Sequence, residues 1–155
     1  MAKYMTDSIH LASVYRMTAV NFRLAAETLA ATMEAKPDGT PAKLTAIPFY
    51  FVVSHAVELF LKSALLKRGF VESDVKHDYR HNLNALLAAL QEKGVTVTPD
   101  TIGLINGLHY QHQTHALRYT ALVDDGRPTF MPPPTLVFEM LDELLLLTRL
   151  STQGV

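Results

Sequence analysis

The chain has 155 residues, 48% of them apolar and 19% charged, with a formal net charge of −1 and no cysteine. Disulfides, thiolate metal sites and cysteine nucleophiles are therefore excluded, and no broad basic footprint marks sequence-independent nucleic-acid binding. The length suits one domain over residues 1–155, and the apolar share is too high for disorder.

The N-terminal stretch MAKYMTDSIH has neither the basic start nor the apolar run of a signal peptide. A first helix is predicted over 8–33, where Leu11, Tyr15, Thr18, Phe22, Ala25 and Leu29 alternate steps of four and three. Such spacing makes a seam for a neighbouring helix crossing at a shallow angle. Lys36-Pro37-Asp38-Gly39-Thr40-Pro41 stops it.

The second helix, over 48–68 with Gly69 behind it, is apolar nearly all round and is expected at the centre of the fold. Its longest apolar run, 47–61, is interrupted by Pro48, His55 and Glu58. No membrane span is expected from it, and a cytoplasmic location follows as the default.

A third helix is predicted over 82–93, with Asn82 as its N-cap and Leu83, Leu86, Leu87 and Leu90 as its buried stripe. The fourth begins at Thr98-Pro99-Asp100, which supplies a capping hydroxyl, a proline for the first turn and an acid at the positive end of the dipole. It is drawn as far as Leu117. Asp125-Gly126 marks a turn that 121–123 and 129–131 flank as a short β-hairpin. Three prolines then lead into a fifth helix over 135–150. The fold class expected is all-α, an antiparallel bundle of about five helices.

Three groups of residues invite chemistry. On the second helix His55, Glu58 and Lys62 stand at i, i+3 and i+7, with Glu58 and Lys62 in the favourable i, i+4 order. For such a helix in isolation this reads first as a thin solvated stripe. After that helix, Lys67, Arg68, Lys76, His77, Tyr79, Arg80 and His81 combine positive charge with aromatic rings. That pattern suits phosphates and bases, although Glu72, Asp74 and Asp78 dilute the charge toward an ordinary solvated loop. Finally, His109, His112 and His115 share a run with no carboxylate of its own, and the first and last point too far apart on a straight helix. Histidines three apart can share zinc or nickel, but a carboxylate would have to come from elsewhere, from Glu58 or Asp78; a His-based metal site is the weakest of the readings, and no metal and no cofactor are expected. Gly103 and Gly107 form a G-x-x-x-G that permits close approach of another helix, within the chain or across a dimer.

Three stretches in order carry a resemblance. HAVELFLKSALLKRGF at 55–70, HDYRHNLNALLAAL at 77–90 and HYQHQTHALRYT at 109–120 resemble the HEPN family of helical domains. The matching positions are Ala56, Glu58, Leu61 and Lys62, then His81, Leu83, Leu86 and Leu87, then Arg118 and Tyr119. The resemblance implies a bundle of four or five helices, often dimeric, in toxin–antitoxin, defence or RNA-processing systems. It implies a nucleotidyltransferase or antitoxin as partner and RNA or a nucleotide as ligand.

Some members of the family are metal-independent ribonucleases using an R-x(4–6)-H motif. No arginine of this chain has a histidine at that spacing. The expected function is therefore a non-catalytic HEPN-like interaction or small-anion-binding protein, acting as a homodimer. Glu58, Lys62, His81, Arg118 and Tyr119 would form one cluster, either a pair that fixes register or an anion site. The alternative is a divergent metal-independent ribonuclease, with Arg118 stabilising phosphate charge and His81, His112 or His115 as acid or base. Glu58 is expected to pair with Arg118, with Lys62 or His81 close by.

Overall fold

The computed structural model describes residues 2–38, 41–118 and 130–149. Its described residues are all-α. The helices are α1 (Ala2–Thr32), α2 (Lys43–Leu66), α3 (Leu83–Glu92), α4 (Pro99–Gln113) and α5 (Pro134–Leu147). A π-helical turn, Asp74–Asp78, precedes α3, and a 3₁₀ turn, Ala116–Arg118, follows α4. The expected hairpin falls mainly on 119–129, outside the described residues; Phe130 and Met131 are not strand.

Helix α2 is the centre, as its all-round apolarity requires. It touches each of the other four α-helices. Phe49, Tyr50, Val53, Val57, Phe60, Leu61 and Leu65 are fully buried along it. Each such large apolar side chain contributes about 1.5–3 kcal/mol on burial. The phenol of Tyr50 donates to the carbonyl of Pro132, and burial pushes its pKa up, so the hydroxyl stays a neutral donor in the core. By length and composition alone Ala46–Leu66 could cross a bilayer, and 78% of its apolar window is buried inside the fold. A core helix passes the same test.

The α1 seam lies one position from the predicted line. Ala12, Ala19 and Ala26, seven apart, are fully buried, while Leu11, Tyr15, Phe22 and Leu29 flank them half-buried and Ala25 is exposed. Small side chains let α1 come close to α2, close enough for Ser63 Oγ to donate to the Ala12 carbonyl at 2.7 Å. The periodicity identified the face, and tertiary packing selected its small residues as the contact line.

Several helix ends follow the sequence signals, but α1 begins at Ala2 and α2 at Lys43, ahead of the predicted 8 and 48, so that Pro48 lies inside α2. Asn82 Oδ1 accepts from Ala85 N at 2.9 Å and Thr98 Oγ1 accepts from Thr101 N. Gly69 and Gly94 sit at φ +90° and +79°, the left-handed conformation that closes α2 and α3. Glu143 of α5 adds a second cap to α4, accepting at 2.8 Å from both Thr98 N and Thr98 Oγ1, and also from Thr101 Oγ1. Burial would raise the Glu143 carboxyl; these donors outweigh it and hold it below its ordinary value. An acid from one helix thus meets the positive end of another.

Helix α4 ends at Gln113, not Leu117. Thr114 Oγ1 donates back to the Tyr110 carbonyl at 2.8 Å, and His115 takes φ +55°. A non-glycine residue in the left-handed region breaks the helical run and redirects the side chains beyond it.

Gly107 does not seat another helix. A Cβ there would lie 2.4–2.6 Å from the ring atoms of Phe130, so the glycine makes room for that ring, while among the described residues nothing stands within 4 Å of a Cβ at Gly103. Gln111 Nε2 donates to the Phe130 carbonyl at 3.1 Å and holds the same segment.

Candidate functional site

The stripe on α2 is not solvated. Glu58 and Lys62 retain 5% and 7% of their exposure, and the turn before α3 and the end of α4 bring His81 and His112 against Glu58. Both point into a polar cluster within an otherwise apolar core. Lys62 Nζ donates to Glu58 Oε1 at 2.6 Å. The other carboxylate oxygen, Oε2, meets two imidazole nitrogens, His112 Nε2 at 2.6 Å and His81 Nδ1 at 3.0 Å.

Each member arrives by a separate local device. The i, i+4 spacing on α2 brings Lys62 to Glu58. Arg80 adopts φ +45° just before His81, in the turn that leads to the Asn82 cap. His112 occupies the last full turn of α4 and is itself buried. Two more histidines edge the group. His55 lies 5.0 Å from the His112 ring, centroid to centroid, and donates through Nδ1 to the Phe51 carbonyl at 2.9 Å. His115 lies 5.3 Å from His81, brought there by the left-handed turn. A straight helix would have carried it away.

Protonation follows from the contacts. Burial alone would raise the Glu58 carboxyl. Hydrogen bonds from His112, His81 and Lys62, together with the Lys62 charge, outweigh it and hold Glu58 well below the usual carboxylate range. Burial pushes His112 down, against the pull of Glu58, so its imidazole is neutral. An ionised carboxylate only accepts, so His112 carries its proton on Nε2 and His81 carries one on Nδ1. His81 Nε2 is the ring nitrogen that Glu58 does not engage, on a side chain that is 43% exposed.

The cluster is thus closed at Glu58, Lys62 and His112 and opens at His81. Beside it a cavity of about 10 Å³ is lined by Phe51, His55, Gln111, His112, His115 and Leu117. That is room for about one water molecule.

Of the ligand residues expected from sequence, Glu58, Lys62 and His81 come together. His112, expected only as a catalytic alternative, is in direct contact with Glu58, and His115 stands behind His81. The Arg118 side chain and Tyr119 lie outside the described residues, and with them the expected Glu58–Arg118 pair. The described partners of Glu58 are Lys62, His81 and His112. His109 is set apart, its Nδ1 buried without a hydrogen-bond partner among the described residues and its pKa lowered by burial. His55 was absent from the expected site. Its one sequence signal was the stripe it shares with Glu58 and Lys62.

Comparison with known proteins adds no relative: no family model, no curated protein and no solved structure matches the chain.

Proposed function

We propose that this chain is a HEPN-like helical-bundle protein of the cytoplasm that binds a small anion or nucleotide and does not cleave RNA. On this reading it acts as a homodimer in a toxin–antitoxin or defence setting. The observation that carries the proposal is the convergence of Glu58, Lys62 and His81, three residues of the resemblance drawn from two separate stretches, on one hydrogen-bonded cluster. Its exposed edge at His81 and His115 is where a ligand docks. Arg118 and Tyr119 follow His115 in sequence by three and four residues and supply a guanidinium for phosphate and a ring for a base. The near-neutral core of the cluster, one carboxylate offset by one ammonium, serves to hold His81 in one orientation.

The test is nucleotide binding followed by calorimetry in the presence of EDTA, with AMP as the probe. Saturable binding, weakened at least tenfold in both His81→Ala and Arg118→Ala, supports the proposal; unchanged binding in both variants, or none in the wild type, sinks it. The second reading is the ribonuclease. It is favoured by one feature: a carboxylate that engages His81 at Nδ1 and not at Nε2, the arrangement a general base needs. Metal-free cleavage of a structured RNA, lost in His81→Ala, would put this reading first.

A further inference from the structure

The run His109, His112 and His115 lacks a carboxylate of its own, and on that ground the sequence predicts no metal. The fold supplies one from α2. Glu58, His81 and His112 each offer a ligand atom, all within 4.8 Å of one another. We propose that these three residues bind a divalent first-row transition metal ion, with zinc as the representative case.

The donor set is two imidazole nitrogens and one carboxylate oxygen, the combination that suits zinc, cobalt, nickel or iron and not magnesium or calcium. Ligand atoms on a sphere of ~2.1 Å radius lie about 3–3.5 Å apart. His81 Nδ1 already stands 3.0 Å from Oε2. His112 Nε2, at 2.6 Å, withdraws by about half an ångström to join it. The hydrogen-bonded cluster is thus the metal-free form of the same arrangement.

Lys62 takes the outer role. By holding Oε1 at 2.6 Å it presents Oε2 alone to the imidazoles, so the carboxylate binds through one oxygen. The charge of Lys62 opposes a cation and keeps affinity below that of a structural zinc centre.

Proton balance is simple. Each imidazole frees the lone pair of the nitrogen that faces Oε2: His112 moves that proton to its other nitrogen, and His81 passes its own to Nε2 or, where Nε2 already carries one, to solvent, while Glu58 is already ionised.

This inference is independent of the nucleotide reading, and its test contains no nucleotide. Chelator-stripped protein is titrated with Zn(II) and separately with Co(II), and uptake is read by a competing dye and by the Co(II) ligand-field band. One ion per chain at a micromolar dissociation constant is expected, with a raised melting temperature that Mg(II) does not reproduce. His81→Ala and Glu58→Gln should each weaken uptake at least tenfold. His77→Ala, an exposed control, should change nothing. His81 is exposed enough that its alanine variant folds, which circular dichroism checks directly. The proposal is overturned if the wild type shows no saturable uptake below about 1 mM. It is equally overturned if a folded His81→Ala variant binds as the wild type does.

Discussion

At the scale of single residues, Glu58 and Lys62 depend on each other. Both are buried, and neither has water to replace its partner. Removing one end of a buried pair costs about 3–5 kcal/mol, whereas replacing both with apolar residues of similar volume is often neutral. Glu58→Leu and Lys62→Met should each destabilise by that order, and the double variant by much less than the sum of the two. Urea unfolding at pH 7 in a double-mutant cycle measures this, and additive effects would mean the pair is not coupled. The same residues set an acid response. Glu58 and His112 both have folded-state pKa values below their ordinary 4.5 and 6.5. In each case the unfolded chain binds the proton more readily, so stability is complete above the ordinary value and falls as pH drops through the folded one. Melting temperature should therefore decline in two stages on acidification, the first beginning below pH 6.5 from His112 and the second below 4.5 from Glu58. His112→Asn should remove the first stage. A wild-type melting temperature that is flat between pH 7 and 5 would show that His112 does not contribute.

At the scale of elements, α4 carries two glycines with opposite roles. Gly103 is exposed in the helix interior, and a Cβ there meets nothing among the described residues. Gly103→Ala should stabilise by about 0.5–1 kcal/mol through helix propensity alone. At Gly107 the same gain is set against displacement of the Phe130 ring, which stands 2.4–2.6 Å from the added carbon. Gly107→Ala should be neutral to destabilising by about 1 kcal/mol, within the usual range for overpacking. In a Phe130→Ala background it should become stabilising. Thermal unfolding of the three variants checks the contrast; an equal gain at both glycines would mean that the Phe130 ring does not rest on Gly107. On α1, Ala19 sits at the middle of the close contact with α2, so Ala19→Leu should cost about 1–3 kcal/mol. Leu24→Ala on the exposed side of α1 should fall within about ±0.5 kcal/mol for the monomer.

At the scale of the whole molecule, Ile9, Val14, Met17 and Leu24 leave apolar area exposed on α1, and Leu136 and Leu146 do so on α5. Exposed apolar side chains mark an interaction site where they join into one patch, and scattered singly they are ordinary surface. The expected homodimer predicts a light-scattering mass twice that of the 17.2 kDa chain at micromolar concentration. The mass of a single chain would instead assign these side chains to another partner or to none.

Much of the architecture is determined locally and is legible in the residues. Pro, Gly, Asn82 and Thr98 punctuate the helices because caps and left-handed turns are short-range chemistry. The central place of α2 follows from a helix with no polar face wide enough to meet water. The i, i+4 relation of Glu58 and Lys62 is equally local. What the amino acids in order could not supply was the environment of that pair. Glu58 reads as a solvated charge until the turn before α3 and the end of α4 are packed against it. His81 stands 23 positions away and His112 stands 54 away, and neither separation carries a periodic signal. His115 joins them only through a backbone conformation its residue type seldom adopts. Caps and left-handed helix stops depend on neighbours within a turn or two, so sequence determines those at Asn82, Thr98, Gly69 and Gly94. A buried carboxylate shared by two imidazoles depends on where three helices cross, and tertiary packing alone decides that.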